Sequence, residues 1–212
     1  MRFSFALPVS SFVRRTVLAL ALVVAATPVA MAATPAEALI ADNIHTGLDI
    51  LNNQQLARAQ RAQQFETFLL GITDMKRISV FALGTYGASA SQADRDAFAA
   101  AFRNYAVAVY QSYLRKYAGQ TLQVIGSHQN AAGDDTVRTS LVDPKGGNPL
   151  ELDFRVRSDG QRPVIVDISV EGIWLAQEEH DQFTAFLGQN GGSIPALIAH
   201  LETLRAALVA GN

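Results

Sequence analysis

The spacing of hydrophobic residues changes twice along the chain. From residue 35 to residue 117, apolar side chains recur at steps of three and four, the period of an amphipathic helix. From 121 to 171 they recur at every second position, as in strands with one buried face. From about 178 the helical period returns. The pattern therefore predicts helices, then a sheet, then helices, which is an α+β layout.

Start and stop signals set the limits of the predicted helices. Thr34-Pro35-Ala36-Glu37 has the spacing of a capping box with proline at the first helical position. Asp74 is placed to cap a short third helix that stops near Gly84, and Ser91-Gln92-Ala93-Asp94 resembles a second capping box. Gly119 suits the left-handed position after a long fourth helix. The predicted helices cover residues 35–51, 56–70, 74–84, 91–117, 178–187 and 193–208.

The middle of the chain predicts a four-stranded antiparallel meander. In the clearest strand, apolar residues from Leu150 to Val156 alternate with charged ones. Asp159-Gly160 is a strong tight-turn signal, and short connections of this kind join antiparallel neighbours. The sheet should therefore have one apolar face, covered by the helices. The predicted strands are residues 121–129, 135–142, 149–157 and 163–171.

The last predicted strand leads into a consecutive apolar run. Val164, Val166, Ile168 and Val170 alternate with polar neighbours such as Asp167. The alternation breaks at Gly172, and Ile173-Trp174-Leu175 follows, with the only Trp of the chain. We expect this run to be buried on both faces, against the core, a partner or a ligand.

The first 32 residues have the composition of a secretory signal peptide. Arg2, Arg14 and Arg15 precede or flank an apolar run at 17–26, which is too short for a bilayer span, and Ala30-Met31-Ala32 is a small-residue cleavage site. We predict cleavage after Ala32, export to the periplasm, and a single mature domain at residues 33–212.

The composition of the mature chain limits the kinds of partner and of fold stabilisation that it can have. Three of the 17 basic residues and none of the 19 acidic ones precede residue 33, so 14 basic and 19 acidic residues remain, a net charge of −5. This acidic balance argues against a nucleic-acid partner, which calls for a basic surface. The chain has no Cys and so no disulfide framework. At about 180 residues it is long enough to bury one core without one.

No motif for catalysis or metal binding stands out. A P-loop, a Gly-x-Ser-x-Gly elbow and a His-Glu-x-x-His helix are all missing, so we predict no enzyme, no cofactor and no metal. His45 lies between Asp42 and Asp49 at helical spacing, but a solvated helix face explains that pattern better than a metal site. The run 178–181 is interpreted as a charged first helical turn, and Asp134-Asp135 as turn residues.

The apolar stripe of the long helix leaves two alternatives open. As ordinary core, it packs on the sheet; as a cavity wall, part of it contacts a ligand. Periodicity does not separate a filled core from a ligand-filled one, because both are apolar. The stripe consists of Phe98, Phe102, Tyr105, Val109 and Tyr113.

Two patches of the sequence match one known pattern. The first joins Asp167, Val170-Glu171-Gly172-Ile173 and Leu175 to Gln182-Phe183. The second runs from Asp74 to Ser79, followed by Leu83-Gly84, Tyr86, and the aromatic residues of the long helix up to Tyr117. In this order and spacing they resemble the MlaC-type proteins, a family of periplasmic lipid shuttles also called toluene-tolerance or ABC-transporter auxiliary proteins. The resemblance spans roughly residues 37–208. It departs at 86–88, where the family often has Trp and this chain has Tyr-Gly-Ala.

The resemblance implies a soluble lipid carrier with an apolar pocket between sheet and helices. Phospholipid is the default ligand. Because one branch of the family is associated with hopanoids, a polycyclic lipid is the alternative ligand. The implied partners are an inner-membrane ABC transporter with a lipid-binding ring and an outer-membrane lipoprotein–porin complex. An enzyme or an adaptor on the same scaffold are the alternatives. Ile173 is the strongest single candidate for the pocket wall. The lipid-binding candidates are Met75, Ile78, Leu83, Phe102, Tyr105, Val109, Val166, Ile168, Val170, Ile173 and Leu175.

Overall fold

In the part of the chain that the structure describes, six helices and one antiparallel sheet form the α+β architecture that the hydrophobic pattern predicts. The computed structural model describes residues 33–158 and 162–211; the predicted signal peptide and the Asp159-Gly160 turn lie outside these residues. In chain order the elements are α1 (Pro35–Asn52), α2 (Arg58–Ile72), α3 (Met75–Ser89), α4 (Gln92–Leu114), β1 (Thr121–Ala131), β2 (Asp134–Val142), β3 (Leu150–Arg157), β4 (Val164–Val170), β5 (Ile173–Trp174), α5 (Leu175–Gln189) and α6 (Ile194–Ala210).

The helix starts form as the sequence indicates. The Thr34 hydroxyl accepts a hydrogen bond from the Glu37 amide at 3.1 Å, and the Glu37 carboxylate accepts one from the Thr34 amide at 2.9 Å, which completes the capping box. Asp74 and Ser91 cap α3 and α4 through their side chains, which accept hydrogen bonds from the amides of Arg77 and Asp94. These side chains satisfy amides that a helix start leaves without partners.

Three helix limits differ from the prediction by three residues or more. The third helix does not stop at Gly84: it kinks there and continues to Ser89. The fourth helix ends at Leu114 with Arg115 as its C-cap, so Gly119, with φ 95°, lies beyond its end. The fifth begins at Leu175 rather than near Glu178, so Glu178 closes its first turn and residues 179–181 lie in the second. Glycine and a cluster of charged residues are both common at helix ends. Here the elements packed alongside allow α3 to continue beyond Gly84 and α5 to begin before Glu178.

The sheet is a meander in which every pair of neighbouring strands is antiparallel, in the order β1-β2-β3-β4-β5. The four predicted strands are present, and β5 adds a fifth of two residues that pairs with the end of β4. Near the start of β4, Ile165 also forms a parallel bridge with Thr73, and its carbonyl accepts the Asp74 amide at 3.1 Å. This bridge ties the start of α3 to the sheet.

A β-bulge changes which residues of β4 face the helices. On β3, Val156 and Arg155 are consecutive, but their partners on β4 are Ile165 and Asp167, so Val166 is the extra residue. The alternation therefore shifts: Ile165, only 3% exposed, faces the helices together with Ile168. The expectation that every second residue from Val164 shares one face is wrong, because a bulge adds one residue to the period of two.

Two apolar clusters make up the core of the described residues. One cluster is shared by the four helices α3, α4, α5 and α6 and is centred on Phe98, Phe183 and Leu197. The other joins α1 to the helix-facing side of the sheet through Ile40, Val137 and Ile165. The candidate functional site lies where these two clusters approach each other, beside β4.

On β2, Asp134 accepts hydrogen bonds from two arginines of β3. Its carboxylate lies 2.7 and 3.0 Å from the guanidinium of Arg155 and 2.9 Å from that of Arg157, and Asp134 is 3% exposed. The interpretation of Asp134 as a turn residue is therefore wrong, because it occupies the first paired position of the strand. Hydrogen bonding to Arg155 lowers the pKa of Asp134 from 3.8 to about 2.

Asp134→Asn should lower the free energy of unfolding at neutral pH by about 1.5 kcal/mol, a value reduced because both arginines are partly in water. Because the pKa is depressed in the folded state, the stabilisation is present above pH 4 and is lost as the pH falls through 2. Urea unfolding between pH 2 and 7 should show a smaller acid dependence for the variant. Asp135→Asn is the control; equal losses in both variants would contradict the role of Asp134.

Candidate functional site

An apolar cavity lies between β4 and the helices α3, α4 and α5. Its volume is about 70 Å³. Its position is set by the bridge that holds the start of α3 on Ile165 and by the packing of α5 against β4. The lining residues are Thr73, Met75, Ile78, Phe102, Tyr105, Ala106, Val109, Tyr110, Ile165, Val166, Asp167, Ile168, Leu175, Ala176 and Glu179.

Most of the residues proposed from sequence are brought together in this wall, namely Met75, Ile78, Phe102, Tyr105, Val109, Val166, Ile168 and Leu175. Three others lie elsewhere. Leu83 is buried in the helical cluster, and Val170 lies at the end of β4. Ile173 is 58% exposed in β5, so the expectation that the whole Ile173-Trp174-Leu175 run is buried is wrong. A two-residue edge strand leaves the outward side chain in water. Lipid contact by any of these residues stays a prediction.

The stripe on α4 lies partly in the core and partly in the cavity wall. Phe98 is fully buried and packs edge-on against Phe183, as core. Phe102 belongs to the same cluster and also lines the cavity, while Tyr105 and Val109 are in the cavity wall. Tyr113, at the end of the stripe, is 58% exposed.

A second apolar cavity, of about 190 Å³, lies between α1, α2 and the sheet. Ile165 lines both cavities, so the two approach each other on the same face of β4. This cavity was not predicted from sequence, because its residues have the ordinary spacing of core helices. The side chains from the helices and the sheet that line it include Ile40, Ile44, Leu48, Phe65, Phe68, Leu69, Ile72, Leu122, Leu141 and Phe154.

Polar groups occupy one part of the first cavity wall. The Tyr105 hydroxyl donates a hydrogen bond of 3.1 Å to Glu179 Oε1. Burial raises the pKa of Glu179 above its usual range, and the bond from Tyr105 only partly offsets this. Burial also raises the pKa of Tyr105 and takes the pKa of Tyr110 to about 12. Glu179 was interpreted from sequence as part of a charged first turn, which is wrong: the start of α5 at Leu175 turns this position toward the cavity.

Asp167 connects β4 to α5. Its Oδ1 accepts hydrogen bonds from the amides of Ile168 and Ala176, each at 2.8 Å. Trp174, at the start of α5, supplies no side-chain cap, so Asp167 takes that role from the neighbouring strand. Burial raises the pKa of Asp167, against the effect of these bonds. From sequence, Asp167 was identified only as a polar neighbour of the apolar positions of this strand.

The kink in α3 lies just beyond the cavity wall. Gly84 has φ 54° and ψ −138°, a conformation that is essentially restricted to glycine. On the preceding turn, the Phe81 carbonyl accepts a 2.7 Å hydrogen bond from His180 Nδ1, and the two rings stack with centroids 4.9 Å apart. His180 on α5 therefore supports the end of the α3 segment that carries Met75 and Ile78.

The geometry suits binding of apolar groups. Ligand sites in proteins usually measure about 300–1,000 Å³, so the first cavity as it stands is too small for a two-chain lipid. Within the described residues, no helix combines the length and hydrophobicity that a membrane span requires. The same part of the chain contains no group of three or more side chains suited to hold a metal.

Comparison with known proteins agrees with the architecture. A phospholipid-binding protein from Ralstonia solanacearum, solved in complex with a phospholipid, has the same fold with a TM-score of 0.73 and 22% sequence identity. The match covers 83% of this chain and 99% of the other. The profile of the MlaC protein family matches residues 42–203. Since that match covers most of the sequence, the chain belongs to the MlaC family.

Proposed function

We propose that this protein is a periplasmic lipid carrier that holds the acyl chains of a phospholipid between its sheet and helices. The observation behind this proposal is the pair of apolar cavities that approach each other at Ile165. One buried methylene contributes about 0.8 kcal/mol, so two acyl chains reach high affinity without a specific polar contact. Family membership and the phospholipid bound to the Ralstonia protein support the choice of ligand.

Binding requires the cavities to widen. Close-packed interiors do not admit a chain without displacement of the elements around them. The segment of α3 before Gly84 is the element we assign to this movement, because the backbone changes direction there and both Met75 and Ile78 line the first cavity. Separation of α3 from α4 would enlarge the space beside Ile165.

Carriage requires no bond to be made or broken. Lipid would pass by mass action between an outer-membrane lipoprotein–porin complex and an inner-membrane ABC transporter with a lipid-binding ring. The predicted signal peptide supports export, and a mature net charge of −5 disfavours lasting adhesion to anionic membranes. No enzymatic step is proposed.

Native mass spectrometry of the mature chain, purified from the periplasm, tests the proposal directly. A one-to-one complex with a two-chain phospholipid, identified after lipid extraction, is the expected result. A bound hopanoid would keep the carrier role and change the ligand. A protein that is free of lipid, and stays so after incubation with phospholipid vesicles, would overturn the proposal in favour of an adaptor or an enzyme on the same scaffold.

A further inference from the structure

One carboxylate oxygen in the wall of the first cavity has no hydrogen-bond partner among the described residues. Glu179 Oε1 accepts the bond from Tyr105, but Oε2 is buried and has no hydrogen-bond partner within residues 33–158 and 162–211. A buried polar atom in this state costs roughly 1–3 kcal/mol, so most are paired in folded proteins. The oxygen belongs to a residue that lines the cavity, where a ligand is able to supply the missing partner.

The groups around this oxygen determine what that partner has to be. Tyr105 uses its single hydroxyl hydrogen on Oε1. Asp167, in the same wall, is itself an acceptor and takes two backbone amides on Oδ1. The wall is therefore rich in acceptors at this point. A complementary ligand brings a hydrogen-bond donor.

We propose that Glu179 Oε2 accepts a hydrogen bond from the bound lipid and thereby selects lipids whose polar head group carries an ammonium or hydroxyl donor. This inference rests on the proposed function and adds to it a selection among lipids by their polar groups. The apolar walls set affinity for any acyl chain, whereas Glu179 distinguishes lipids of equal chain length. Ester carbonyls and phosphate oxygens, which are acceptors, gain nothing from this oxygen.

A purely structural role for Glu179 is separable from selection. Glu179→Gln retains an oxygen to accept the Tyr105 hydroxyl, so the connection between α4 and α5 is kept. It replaces the second oxygen with an amide NH₂, which donates rather than accepts. The change therefore reverses the polarity of the proposed contact at nearly constant shape.

The test is competitive uptake of two lipids with identical acyl chains. The mature protein is incubated with vesicles of equal phosphatidylethanolamine and phosphatidylcholine, both zwitterionic, of which only the first has N–H donors. The bound lipids are then quantified by mass spectrometry. Wild type should prefer phosphatidylethanolamine by about tenfold, the effect of one hydrogen bond to a charged group, and Glu179→Gln should lose the preference. Glu202→Gln, an exposed carboxylate on α6, should match wild type.

A second vesicle set identifies the donor. In vesicles of equal phosphatidylglycerol and phosphatidylcholine, only the phosphatidylglycerol head group has hydroxyl donors. A preference for phosphatidylglycerol that Glu179→Gln removes would extend the selection to hydroxyl groups. Equal lipid ratios for wild type and Glu179→Gln in both sets would overturn the inference while leaving lipid carriage intact. Absence of any bound lipid in every protein would instead overturn the proposed function.

Discussion

Gly84→Ala is expected to lower the free energy of unfolding by about 3 kcal/mol. A side chain at φ 54° and ψ −138° is strained, at roughly 1–3 kcal/mol for such backbone conformations. In addition, a Cβ placed on Gly84 would lie 2.6 Å from His180 Cε1 and 3.1 Å from Thr184 Cγ2, both on α5. The ring would have to leave its bond to the Phe81 carbonyl. Urea denaturation followed by circular dichroism measures the change.

Gly71→Ala provides the matched control. Gly71 lies within α2, and a Cβ added to it would meet no other atom within 4 Å. The substitution should raise stability by roughly 0.4–1 kcal/mol, because alanine restricts the unfolded chain. A loss of less than 1 kcal/mol for Gly84→Ala would show that the kink relaxes to an ordinary helix at low cost. In that case Gly84 would not be a fixed bend in α3.

Ala106→Phe is expected to reduce bound lipid by at least tenfold while the chain still folds. Ala106 is on α4 and lines the first cavity, so an aromatic ring there occupies the space beside Val109 and Ile168. Overpacking of this kind costs typically 1–3 kcal/mol of stability. Loss of contact with only two methylenes removes about 1.6 kcal/mol of binding free energy, which is more than a tenfold change in affinity. Quantitative lipid extraction after incubation with phospholipid vesicles gives the readout.

Ala100→Phe is the corresponding control, because Ala100 is exposed on the same helix. It should bind lipid as wild type does. Undiminished lipid in a folded Ala106→Phe variant would mean that the acyl chains do not enter the first cavity. The 190 Å³ space under α1 and α2 would then be the remaining candidate for them.

The candidate site was only partly predictable from sequence. Met75, Ile78 and Leu175 were identified through the family resemblance, and they line the cavity. Glu179 was missed because a run of charged residues in a helix is usually solvated, and nothing local indicates that one of them is turned inward. The burial expected for Ile173 is wrong, since an apolar residue at a strand end is either covered or left in water according to the length of the neighbouring strand.

Local sequence was sufficient to predict the order of helices and strands, the caps at Thr34, Asp74 and Ser91, and the antiparallel pairing of the strands. These features follow from side-chain period and from hydrogen bonds that span three or four residues. The bulge at Val166, the continuation of α3 beyond Gly84 and the position of Glu179 in the cavity wall became visible only in the folded chain.

The continuation of α3 and the position of Glu179 depend on elements far apart in the chain, which contact one another through pairs such as His180 with Phe81 and Glu179 with Tyr105. The bulge depends on how β3 and β4 pair. No short stretch of sequence contains both members of such a pair. The division between core and cavity has the same origin, because packing between elements, not the hydrophobicity of any one of them, decides where space remains.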